Sequence, residues 1–142
     1  MNLTEHFTLE ELTKSAIVHK RNTDNIPTND INNTPNQTVI NNLTNLAIYV
    51  LEPTRKGINK PININCAYRC KQLNDIVKGA SNSQHLFGEA ADLDNNSIEN
   101  NKEIFNYIKN NLEFDQLINE SNFSWVHVSF RKGKNRKQVL AL

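Results

Sequence analysis

Six apolar positions, Val39, Leu43, Leu46, Ala47, Val50 and Leu51, recur at helical spacing, and Pro53 marks the predicted end of that helix. Upstream, Thr8 and Glu11 are placed as a capping box for a short helix with Leu9 and Leu12 on its apolar side. Between the two, Arg21 to Asn36 is polar, rich in Asn and Thr and broken by Pro27 and Pro35, which predicts a surface loop. From Pro61 to Cys66 the pattern becomes alternating, with Ile62, Ile64 and Cys66 on one side of a half-buried strand. A short helix over Lys71 to Val77 and a turn over Gly79 to Asn82 follow. A second strand is predicted over Glu89 to Asp94, with Ala91 and Leu93 opposite Ala90, Asp92 and Asp94. Ser97 can cap a helix carrying Ile104, Phe105 and Ile108. Phe114–Asn119 and Ser124–Phe130 read as the two arms of a hairpin, and the basic stretch Arg131–Lys137 as a solvated end.

Helices first, then strands mixed with helices, predict an α+β fold: a small, largely antiparallel sheet of about four strands with helices packed on it. At 142 residues and 16.3 kDa, the chain is expected to form one domain over residues 1–142. Its 37% hydrophobic and 22% charged residues are lean for a globular protein, yet the net charge of +1 is far from that of a disordered one. The same near-neutral balance argues against a dedicated nucleic-acid binder. No apolar run approaches the roughly 20 residues of a membrane span, so no membrane insertion is expected. Met1 to Glu10 is polar and acidic where a signal peptide is basic and then apolar, which points to synthesis in the cytoplasm. Cys66 and Cys70 are expected to be free thiols, since a Cys pair alone is a poor zinc site.

Of the four histidines, His6 and His19 lack nearby partners in the sequence and read as surface residues. His85 stands in a polar turn, followed by Gly88 and by small residues leading into the strand that carries Asp92. In Trp125-Val126-His127-Val128-Ser129-Phe130, alternation sets Trp125, His127 and Ser129 opposite Val126, Val128 and Phe130. His85, Asp92 and His127 can converge on one cation. Two neutral imidazoles and one carboxylate leave Zn²⁺ with a net charge of about +1 and an open fourth position, the arrangement of a catalytic zinc. Water bound there has a pKa of about 7. No helical His-Glu-x-x-His is present, which excludes a thermolysin-type site.

The pattern Ser-x-His-x-x-Gly-x-Ala-x-Asp, met by Ser83, His85, Gly88, Ala90 and Asp92, resembles the signature of the zinc D-Ala-D-Ala carboxypeptidases. Relatives of these enzymes include the L-alanyl-D-glutamate endopeptidases of phage endolysins, the D-Ala-D-Ala dipeptidases and the hedgehog-type fold. The resemblance extends to Glu5–Leu12, to Ala67-Tyr68-Arg69 with Leu73-Asn74, to Phe114–Ile118 and to Trp125–Ser129, and so covers most of the chain. It resembles the small phage-borne members most.

That resemblance implies His85, Asp92 and His127 as zinc ligands, and Arg69 as the group that polarises the scissile carbonyl or holds a substrate carboxylate. Ser83 and Trp125 are expected to join Arg69 in binding the substrate. Members of the family carry an acidic residue or a His shortly before the last ligand, where this chain has Ser124 and Trp125. Glu120 is the nearest carboxylate and the first candidate for general base, either in that role or as a plain turn residue; Asp94 and Asp115 are lesser candidates. The implied function is a zinc metallopeptidase acting on peptidoglycan peptides, as a D,D-carboxypeptidase or an L-Ala-D-Glu endopeptidase. It is expected to work as a monomer, reaching the bacterial wall after holin-type release or as part of a virion. The alternative is a non-catalytic module of the same fold, stabilised by zinc.

Overall fold

In chain order the elements are α1 (Leu9–Thr13), α2 (Gln37–Leu46), a π-helical turn (Ala47–Leu51), α3 (Glu52–Ile58), β1 (Ile64–Cys66), α4 (Lys71–Ile76), a 3-10 turn (Gln84–Phe87), β2 (Ala90–Leu93), α5 (Ile98–Asn111), β3 (Gln116–Glu120), β4 (Trp125–Ser129) and β5 (Gln138–Ala141). They come from a computed structural model, which describes residues 1–14 and 31–142. His19 and the first part of the expected loop, Arg21 to Asp30, lie outside the described residues. The architecture is α+β, and the five strands lie in the order β1-β2-β4-β3-β5. Neighbours are antiparallel except β3 and β5, which run parallel.

One face of the sheet carries Ala91, Leu93, Leu117, Val126 and Val128. It packs on Leu43, Leu46, Ala47, Val50 and Leu51 from the long helical segment and on Ile104, Phe105 and Ile108 from α5. Each fully buried Leu or Ile there contributes on the order of 1.5–3 kcal/mol. The expected caps form: Thr8 Oγ1 accepts from Glu11 N at 3.1 Å, and Ser97 Oγ accepts from Asn100 N at 3.0 Å.

Three expectations are corrected. Pro53 does not end the main helix. In a regular α-helix its ring would press on the carbonyl of Tyr49, and its missing N–H would leave that carbonyl bare. The π-helical turn just before it widens the spiral, with Glu52 N–H reaching back to Ala47 O, and the helix passes through to Asn59, which stops it in the left-handed region at φ 53°.

The basic stretch is not a free end either. Arg136 grips Asp115, Lys137 N donates to Phe114 O, and the following residues form β5, a fifth strand beside β3. Lastly, Cys66 does not stay on the side of Ile64. A bulge makes Ile64 pair with Leu93 but Cys66 pair with Asp92, so the strand changes face between them.

His6 is exposed as expected, yet its ring is held: Nδ1 lies 2.6 Å from Glu52 Oε2 on α3, and its backbone N donates to Glu52 Oε1 at 2.7 Å.

Candidate metal centre

The three expected ligands come from two strands and one turn. Antiparallel pairing sets Asp92 directly opposite His127. The alternation that sends Val126 and Val128 into the core sends His127 to the other face, where Asp92 also points, and His127 Nδ1 lies 3.0 Å from Asp92 Oδ1. That face is not open: Asp92 is only 5% exposed. The turn before β2 covers it.

His85 sits in that 3-10 turn, and two other residues of the motif shape the turn. Ser83 opens it, its Oγ accepting from His85 N at 3.3 Å. Gly88 closes it at φ 71°, where a Cβ would stand 2.8 Å from the carbonyl oxygen of Val39. His85 is thereby buried with Nε2 3.4 Å from Asp92 Oδ1, the same oxygen that meets His127. The two imidazoles stand edge to face, centroids 5.2 Å apart.

Electrostatics suit a cation. Burial disfavours an ionised Asp92, but His85 and His127 outweigh it and hold the carboxyl far below the usual carboxylate range. His85 Nδ1 lies 2.6 Å from the carbonyl oxygen of Ala67. A carbonyl only accepts, so Nδ1 carries the proton and Nε2 keeps its lone pair for a metal. Cys66 was not anticipated here. Its Sγ lies 3.9 Å from His85 Nδ1, and the ligand atoms that lie within 4.8 Å of one another are those of Cys66, His85 and Asp92; His127 is not in that group and meets it through Asp92 Oδ1. Nitrogen, carboxylate and thiol donors fit zinc and disfavour calcium or magnesium, which take all-oxygen shells. A second group, Glu5, His6 and Glu52, is also close-set, but Glu5 pairs with Lys56 and Glu52 with His6, so its charges are already matched.

Arg69 is anchored to the same turn by its backbone N–H, which donates to His85 O at 3.1 Å. Its side chain is buried, Nη2 donates to Ser83 Oγ at 3.5 Å, and Nε is buried with no hydrogen-bond partner among the described residues. A buried guanidinium donor left without a partner is costly.

Ser83 and His127 line a cleft of about 360 Å³ together with Glu120. Glu120 ends β3 opposite Trp125, two residues along from the Ile118–His127 pair, so the sheet places it diagonally from His127 on the same face. Trp125 is half-buried at the start of β4. The other two carboxylates are engaged elsewhere. Asp94 Oδ1 accepts from Asn96 N and Asn101 Nδ2 at the start of α5. Asp115 is fully buried and accepts from Arg136 Nε and Nη2 and from Gln84 Nε2.

No curated protein matches the chain at a significant level. Residues 5–129 match the family model described as Peptidase M15. That span holds every residue of the centre, from Cys66 through His85 and Asp92 to His127, and the chain belongs to the M15 peptidase family.

Proposed function

We propose that this protein is a zinc-dependent peptidase of peptidoglycan stem peptides or cross-links, cutting as a D,D-carboxypeptidase or an L-Ala-D-Glu endopeptidase. The observation that carries the reading is the shared Asp92 Oδ1, set between His85 Nε2 and His127 Nδ1, with His85 Nδ1 fixed to Ala67 O. His85, Asp92 and His127 would hold the ion, and zinc there supplies Lewis acidity and lowers the pKa of water toward 7.

The protein's own groups do the rest. Arg69, with an unsatisfied Nε in a buried setting, binds the carboxylate of the substrate or the oxygen of its scissile carbonyl as charge builds there. Ser83 steadies that guanidinium through its Oγ. Glu120 takes a proton from the attacking water as the new C–O bond forms, then delivers it to the amine nitrogen as the C–N bond breaks. Trp125 walls the peptide beside His127.

The resemblance of Glu5–Leu12 and Trp125–Ser129 to small phage-borne members supports a place of action in the bacterial wall, after holin-type release or from a virion, with the protein working as a monomer. Ser124 favours a second reading, a zinc-stabilised binding module: it stands where an acid is expected, and its Oγ donates to Ser121 O within the hairpin turn. Zinc-loaded protein incubated with purified peptidoglycan, with released amino groups counted, decides between the two. Release supports the peptidase; none, with zinc bound, leaves the module.

A further inference from the structure

The cleft that holds His127, Glu120 and Ser83 does not stop at the metal centre. It shares Asn82, Gln84 and Arg136 with a second cleft of about 360 Å³ that is also lined by Arg131. We infer that this second cleft is a subsite for a carboxylate carried by the substrate peptide away from the scissile bond, read by Arg131 and Arg136. The inference rests on the peptidoglycan reading above.

Three observations support it. Arg136 is held in one pose, its Nε and Nη2 each donating at 2.9 Å to the two oxygens of Asp115. Asp115 is fully buried, while the Arg136 side chain is 54% exposed and lines both clefts. Arg131 Nε stands 3.8 Å from Glu89 Oε2, beyond hydrogen-bonding distance, and is the more exposed partner, 40% against 20%. The cleft is thus lined by both guanidinium groups together with the Glu89 carboxylate, while the Asp115 carboxylate is buried behind Arg136.

The third observation lies in the shared stretch. Gln84 donates through Nε2 to Asp115 Oδ2 at 2.9 Å, which fixes the amide, and its Oε1 is buried with no hydrogen-bond partner among the described residues. An orphaned acceptor between the two clefts matches a peptide N–H passing from one to the other. Both arginines lie beyond the residues matched by the family model, so the subsite belongs to the C-terminal segment of this particular chain.

A stem peptide supplies the required group in its D-glutamyl residue, which is linked through the γ-carboxyl and leaves the α-carboxylate free. The test uses the synthetic peptide L-Ala–γ-D-Glu–L-Lys–D-Ala–D-Ala and its analogue with that α-carboxyl as carboxamide. Affinity of each for the zinc-loaded full chain is measured by calorimetry, and cleavage by mass spectrometry. The acid should bind roughly tenfold more tightly than the amide. Arg131→Gln, which leaves the Asp115–Arg136 grip in place, should bring that ratio close to one, and Arg136→Lys should lower it. Equal affinities in the wild type, no binding of either peptide, or a ratio unmoved by Arg131→Gln overturns the subsite. Cleavage of both peptides at equal affinity overturns the subsite alone and leaves the peptidase standing; acid preference without cleavage supports the subsite and overturns the peptidase.

Discussion

His127 and Asp92 face each other across the β2–β4 ladder, with the imidazole Nδ1 3.0 Å from the carboxylate Oδ1. The backbone pairing itself sets this contact, so a metal site built on it comes with two of its donors already placed. Asp92→Asn keeps the shape and removes the charge. Zinc affinity should fall by at least about a hundredfold, as it should in His127→Ala, measured by competition with a chromophoric chelator. Cys66→Ser should retain zinc; loss there would make the thiol a ligand in place of His127.

Glu120→Gln separates metal binding from proton transfer. Zinc should stay bound while hydrolysis of a stem peptide drops by about 10²–10⁴. Full activity in that variant would move the base elsewhere.

Arg69 sets function against stability. A buried guanidinium with an unpaired donor is costly to keep, so Arg69→Met should melt no lower than the wild type. Its kcat/KM should nevertheless fall by about 10²–10³. A variant that melts much lower would mean that the side chain is part of the scaffold.

Acid should weaken the fold through Asp115. The hydrogen bonds from Arg136 hold its carboxyl at about 2 rather than the ordinary 3.8. A depressed carboxylate stabilises the native state fully above its unfolded value, and that contribution is lost as pH falls from about 4 to about 2. Asp115→Asn should cost roughly 1–3 kcal/mol at pH 7 and show a flatter stability curve over the same acid range, read by urea denaturation at several pH values.

Gly88→Ala tests the turn that carries His85. The position is left-handed, and an added methyl would meet backbone at 2.8 Å, so the loss should reach about 2 kcal/mol or more. The melting temperature should drop, and zinc affinity with it, because His85 lies three residues away on the same turn.

Much of the centre was legible because alternation is local. Trp125–Phe130 assigns His127 to the polar face without knowledge of any partner strand, and the motif around His85 carries its own turn residues. What stayed hidden depends on pairing between distant segments. Cys66 reads as a core residue until the bulge opposite Asp92 turns it over. The π-helical turn that lets the helix pass Pro53 leaves no mark on apolar spacing, since the same residues stay buried. Gln138–Ala141 is too short and too exposed to announce a strand, and only its alignment with β3 makes it one. The Glu52 partner of His6 is likewise supplied by another element.

The placement of β5 at the outer edge of the sheet, with Arg131 and Arg136 on the approach to it, has a corollary. Asp92 and His127 occupy the middle of the ladder, where any backbone shift would disturb several neighbours at once. Arg131 occupies a border that can be altered with little effect inward, whereas Arg136 is tied to the buried Asp115. Changes at that border can alter what approaches the cleft while the Asp92–His127 pair stays where the backbone pairing sets it.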